Sequence, residues 1–151
     1  RARQAGARTV TLRLGVVLAP GAGALSRMAL PFKLGLGGRL GGGRQWFSWV
    51  ALDDAVAVIV RAITTDMTGV YNVTAPGPVT NRELTKALAR VLRRPALFVV
   101  PAFALRGMLG GAADELLLAS QRVMPRRLAD AGFAFRYPEI SGALNAALKG
   151  S

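Results

Sequence analysis

The 151 residues include no cysteine and no histidine. That excludes disulfides, thiol nucleophiles, zinc clusters of the Cys/His kind and every histidine-based triad. Acidic residues are scarce as well: 8 Asp and Glu face 20 Lys and Arg, for a net charge of +12. The cations are scattered, and the longest arginine runs are the pairs Arg93-Arg94 and Arg126-Arg127. Such spacing fits a solvated surface better than the clustered footprint of a nucleic-acid binder. Apolar runs are broken by Arg, Asp, Gly or Pro before the roughly 20 residues a membrane span needs. The expected setting is cytoplasmic, and neither a nucleic acid nor a membrane is expected as partner.

What is present is enough to fold. Hydrophobic residues make up 52% of the chain and charged residues 19%, which argues against disorder. Residues 8–18 read as one strand, rich in Val, Leu and Thr. "SRMALPFKLGLGG" predicts a short helix interrupted at Pro31. "QWFSWVAL" predicts an extended segment, with Trp46, Ser48, Val50 and Leu52 on one face and Phe47, Trp49 and Ala51 on the other. Asp53 is an expected N-cap, and Val56, Ile59, Val60 and Ile63 fall at helical spacing as a buried stripe. Residues 69–75 form a second strand. Thr80 and Glu83 have the spacing of a capping box, ahead of a helix lined by Leu84, Leu88, Val91 and Leu92. A third strand is expected at 96–100, with helices at about 102–109, 113–123, from Pro125 to Gly132, and 139–149. Strands alternating with helices, then a mostly helical end, argue for an α/β fold.

The Gly-rich stretch "GLGGRLGGGRQWFSWVALDD" (35–54) fails both phosphate-loop patterns. It has no Gly-Lys-Ser/Thr ending, and Leu40 stands where a dinucleotide fingerprint needs its third glycine. Capping and the helix dipole account for Asp53 and Asp54 without acid–base chemistry. Trp46 and Trp49 suit a core or a pocket wall. Arg44, after three glycines, has two readings: a bidentate phosphate ligand or a solvated loop arginine.

Several segments together resemble one family. "RLGVVLAPGAGAL", "LPFKLGLGGRLGGGRQWFSWVALDD", "YNVTAPGPVTNRELTKALARVLRRPA", "VPAFALRGMLG" and "SQRVMPRRLADAGFAFRYPEISGAL" come in the order and rough spacing of the C-terminal half of the atypical extended short-chain dehydrogenase/reductases. These are the nucleoside-diphosphate-sugar epimerase-like proteins that end in a small domain of unknown function. The resemblance implies the C-terminal part of a Rossmann-like parallel sheet over residues 1–75, followed by a small, mainly helical substrate-side domain over 76–151. It implies NAD or NADP in the complete protein and none bound by this piece alone. It also implies cofactor contacts from Arg13, Gly15 and Val16, and substrate contacts from Arg44, Gln45 and Trp46, with Arg44 toward a diphosphate. No catalytic or metal-binding residue is carried over. The family's Gly-rich dinucleotide loop and Tyr-x-x-x-Lys pair do not occur: Tyr71 is followed four residues later by Ala75, and Tyr137 by Ser141. The family often has His where Ala51 stands and Gly where Ala22 stands.

The chain is accordingly expected to begin inside a longer protein and to supply the substrate side of an NAD(P)-dependent epimerase or reductase. The alternative is a partner-binding or redox-sensing protein on a vestigial epimerase fold. Substrate, cofactor preference and oligomeric state are not encoded in any motif present.

Overall fold

The computed structural model describes residues 6–100 and 120–149. Its elements run β1 (Val10–Leu14), β2 (Val16–Leu18), α1 (Gly23–Lys33), β3 (Gly38–Leu40), β4 (Trp46–Phe47), β5 (Trp49–Ala51), α2 (Leu52–Thr64), β6 (Gly69–Val73), β7 (Val79–Thr80), α3 (Asn81–Leu92), β8 (Phe98–Val100), α4 (Arg126–Asp130) and α5 (Ile140–Lys149). The expected helix at 102–109, and most of the one at 113–123, lie outside the described residues. Residues 120–123 are described and are not helical.

Three strand pairs are parallel. β1 runs beside β6 from Val10↔Gly69 to Leu14↔Val73, β2 beside β5 from Val16↔Trp49 to Leu18↔Ala51, and β3 beside β8 from Gly38↔Phe98. Parallel neighbours need long crossovers, and here helices supply them. β4 and β7 pair antiparallel, Trp46 against Thr80.

The single strand expected at 8–18 is two. The chain changes partner at Gly15, whose N–H donates to Val73 O at 3.0 Å while Val16 N–H donates to Ser48 O at 2.9 Å. A Cβ at Gly15 would stand 2.7 Å from Ser48 O. Only glycine lets the 46–51 segment approach this closely.

The strands lie between two helical layers. On one side Leu18, Trp49, Ala51 and Ala75 pack with α1, α3 and α5 through Leu25, Phe32, Leu84, Leu88, Ala143 and Leu144. On the other side Val50, Tyr71 and Val73 pack with Ala55 and Val58 of α2 and with Leu128. Phe47, Trp49 and Ala51 do share a face, opposite Val50. Burial on both faces explains why β2 and β5 read as unbroken apolar runs. The first cluster takes residues from both sides of position 75.

Some helix details differ from expectation. α1 continues through Pro31 to Lys33, with only the one intrahelical bond that the proline cannot donate missing. Leu52 opens α2 instead of extending the strand, and Asp53 lies inside the first turn, after Ala51. The expected α2 stripe faces outward: Val56, Ile59, Val60 and Ile63 are 40–70% exposed. The buried face carries the smaller Ala55, Val58 and Ala62, which let the helix sit close on the sheet. The spacing argument followed the bulkier side chains and so chose the wrong face.

α3 begins as expected. Thr80 and Glu83 form the reciprocal capping box, with Thr80 N–H donating to Glu83 Oε2 at 2.6 Å and Glu83 N–H donating to Thr80 Oγ1 at 3.3 Å. The Thr80 backbone bond, then the bond to its hydroxyl, holds the Glu83 carboxyl below its ordinary value. That small stabilisation is present above the ordinary carboxylate pKa and is lost as pH falls through the lowered one.

A helix that carries large apolar side chains on its outward face as well as apolar ones inward fits inside a larger packing unit. The 151-residue chain is therefore predicted to bind an apolar dye and to self-associate through the outer face of α2. Ile59→Ser with Ile63→Ser lowers dye fluorescence and the apparent mass in light scattering without lowering the thermal midpoint. A lowered midpoint with unchanged dye binding would show that this face is part of the interior.

Candidate functional site

The residues singled out in the sequence lie on two segments, 13–16 and 44–46, of which the first meets the strand that follows the second at Val16 and Trp49. Arg13 is exposed on β1, in register with Asn72 of β6. Gly15 and Val16 follow, and their N–H groups are already used by Val73 O and Ser48 O. They offer a ligand shape and close approach but no free donor. Val16 lies in register with Trp49, so the Arg13–Val16 segment is adjacent to the 44–49 segment. Arg13 and Arg44 themselves share no hydrogen bond or ion pair.

Arg44 is exposed at the end of the Gly41–Gly43 turn and carries no acidic partner among the described residues. Gln45 donates from Nε2 to Leu40 O at 3.2 Å. Its Oε1 is buried and accepts no hydrogen bond among the described residues. A buried acceptor without a donor costs about 1–3 kcal/mol. Trp46 is half-buried, and the Arg122 guanidinium stacks 4.9 Å from its ring centroid.

That contact follows from a seam not legible in the sequence. Residues 120–123 lie along the 46–48 segment. Trp46 N–H donates to Ser120 Oγ at 3.1 Å, Ser48 Oγ donates to Gln121 O at 2.6 Å, and Val123 N–H donates back to Ser48 Oγ at 3.0 Å. Thr74 Oγ1 adds a bond to Val123 O at 3.2 Å. One serine hydroxyl thus satisfies two backbone groups 73 and 75 residues away. Ser48 was read only as one member of a strand face, and nothing local marks it.

Asp54 was likewise read as a helix-start acid. It is buried, and its two carboxylate oxygens accept from Arg136 N–H at 2.7 Å and Tyr137 N–H at 3.0 Å. Asp53 is exposed and pairs with the Arg136 guanidinium at 3.2 Å. Neither group is placed for acid–base catalysis. Among the described residues no cluster of three or more His, Cys, Asp or Glu could hold a metal, and no helix is long and apolar enough to cross a membrane.

Parallel strands crossed over by helices define a Rossmann-like α/β unit. Comparisons with known proteins agree with this fold. Residues 100–147 match a model described as a domain of unknown function (DUF1731). Over 144 residues the chain is 46% identical to an epimerase family protein of Mycobacterium bovis, covering 95% of this chain and 48% of that one. The crystal structure of human epimerase family protein SDR39U1 with NADPH superposes with a TM-score of 0.87 at 36% identity, over 93% of this chain and 48% of that one. The nucleoside-diphosphate sugar epimerase from Corynebacterium glutamicum gives a TM-score of 0.76 at 35% identity, over 97% of this chain and 27% of that one. The chain is similar to these epimerase family proteins and spans about half the length of the M. bovis relative.

Removing the Ser48 hydroxyl should loosen the seam. Ser48→Ala is predicted to cost about 1–3 kcal/mol, from one lost bond and one backbone N–H left without its acceptor. It should also change Trp46 emission, as Arg122 leaves the ring. A stability loss with Trp46 emission unchanged would contradict the assignment of Ser48 as the residue that holds Arg122 in place.

Proposed function

We propose that this chain supplies the substrate side of an NAD(P)-dependent epimerase or reductase acting on a nucleotide-linked sugar or similar small molecule. The observation that carries the reading is the junction at Gly15, where the strand bearing Arg13 meets the segment bearing Arg44, Gln45 and Trp46. In open α/β sheets ligands collect beyond the carboxyl ends of the strands, where neighbouring crossovers diverge. The relatives' names and the NADPH of the human structure support the same class.

In this reading Arg44 grips the substrate's diphosphate, for which a planar guanidinium is well suited. Gln45 and Trp46 border the substrate beside it, Trp46 as a wall. Arg13, Gly15 and Val16 border the nicotinamide end of the cofactor. The cofactor would accept and return a hydride when bound. This chain has no dinucleotide loop and no Tyr-x-x-x-Lys pair, so the proton and hydride steps belong to the remainder of the protein. Residues 1–75 act as late strands and substrate loop, and 76–151 as the substrate-side domain. The outer face of α2 and the free edge of β1 receive a strand and helix from that remainder.

The test joins this chain to the dinucleotide-binding half of the M. bovis relative. It then measures NADPH fluorescence and chromatographic conversion of a panel of sugar nucleotides. The joined protein binds NADPH and turns over at least one substrate, whereas residues 1–151 alone turn over none. Arg44→Gln raises KM by about tenfold or more, the loss of a charged hydrogen bond, and leaves NADPH affinity unchanged. Turnover by the 151-residue chain alone, or an unaltered KM in Arg44→Gln, would overturn the proposal.

A further inference from the structure

The turn that carries Arg44 is held by the first turn of α3. The first N–H groups of a helix have no partner within it, and in α3 the first three are all used. Glu83 N–H donates to Thr80 Oγ1 at 3.3 Å, within the capping box. Arg82 N–H donates to Gly43 O at 3.0 Å, and Asn81 N–H to Gln45 O at 2.8 Å. The carbonyls of the residues on either side of Arg44 are therefore both fixed to α3.

Asn81 also holds the other end of the turn. Its Oδ1 accepts Leu40 N–H at 2.8 Å, and Leu40 is the last residue of β3. One residue thus grips Leu40 through its side chain and Gln45 through its backbone. Across the turn, Gly43 N–H and Gln45 Nε2 both donate to Leu40 O, at 3.0 and 3.2 Å. The fit leaves little slack. Gly43 is buried with φ at +69°, and a Cβ there would stand 3.2 Å from Arg82 Cβ. Only the Arg44 side chain leaves this frame for solvent. A long side chain loses conformational entropy when it grips a ligand, and a backbone fixed beforehand limits that loss.

We propose that Asn81 is a positioning residue for Arg44. Its amide oxygen holds Leu40 and with it the turn, so that α3 and the Gly-rich turn act as one unit when substrate binds. The binding half of this statement rests on the reading of Arg44 given above, and the hold on the turn does not.

The test uses residues 1–151 with UDP as the probe, reading amide exchange across 40–45 beside calorimetric titration. Asn81→Ala is compared with Asn81→Asp, which keeps an acceptor oxygen, and with Glu83→Ala, which removes half of the capping box and nothing from the turn. Thr80 and Glu83 remain in both Asn81 variants, so α3 still has its cap, and circular dichroism checks that each variant is folded. Asn81→Ala is expected to speed exchange at Leu40 about tenfold or more and to weaken UDP binding about fivefold or more. Asn81→Asp restores the protection and most of the affinity. Glu83→Ala lowers the thermal midpoint and changes neither. In an Arg44→Gln background Asn81→Ala weakens UDP binding no further, because its effect passes through Arg44.

Unchanged exchange at Leu40 in Asn81→Ala would overturn the proposal whatever UDP does. So would matching losses in Asn81→Ala and Glu83→Ala, or a loss in Asn81→Ala that persists in full beside Arg44→Gln. If the unaltered chain binds no UDP while Asn81→Ala frees Leu40 and Asn81→Asp restores it, Arg44 is not a diphosphate ligand. The binding half then falls with that reading, and the hold of Asn81 on the turn is upheld.

Discussion

The Asp54 carboxylate holds the two ends of this structure together. It is buried in the first turn of α2 and accepts the backbone N–H groups of Arg136 and Tyr137, 82 and 83 residues further on. A buried carboxylate is tolerated only when its oxygens are satisfied, and these two bonds satisfy both. The tie fixes where the chain turns before α5. From there Tyr137, Ile140, Ala143 and Leu144 enter the cluster that contains Leu84 and Leu88. Just upstream, Phe133 and Phe135 reach the opposite layer beside Val58 and Leu128. One side chain thus sets the position of a segment that contributes to both layers around the strands.

The arginines explain themselves in similar terms. Arg8 donates to Ala62 O at 2.9 Å, to Ile63 O at 3.3 Å and to Met67 O at 3.0 Å, closing the carbonyl end of α2, where a cation is favoured. Arg61 donates to Ala131 O at 2.7 Å and lies over Phe133, and Arg127 covers the carbonyls of Thr68 and Val70. A sizeable part of the +12 charge therefore acts on backbone carbonyls and aromatic faces within the chain. Arg122 likewise lies over the Trp46 ring.

Local patterns in the sequence were legible where local physics decides the outcome. The capping box at Thr80 and Glu83, the end of α4 near Gly132 and the strand at 69–73 all rest on neighbours within a few residues. The α/β class followed from their alternation. What escaped was long-range. The buried face of α2 was misassigned because Ala55 and Ala62 carry little apolar weight, although they pack the helix on the sheet. The break at Gly15 depends on Ser48 O, 33 residues away. The site showed the same division. Arg44 stood out by its glycines, whereas Ser48, Asp54 and Arg122 act through partners 73 to 83 residues away, which no local spacing marks. The family resemblance supplied what periodicity could not, the order of the segments.

The central claim is that Asp54 ties α2 to the C-terminal segment and thereby seats α5. Amide hydrogen exchange of Asp54→Ala, read beside urea unfolding, tests it most directly. The account predicts loss of protection at Arg136 and Tyr137, faster exchange throughout 140–149, and a stability loss of about 2–5 kcal/mol from two buried N–H groups left unpaired. Unchanged protection in α5, with a loss below about 0.5 kcal/mol, would contradict it.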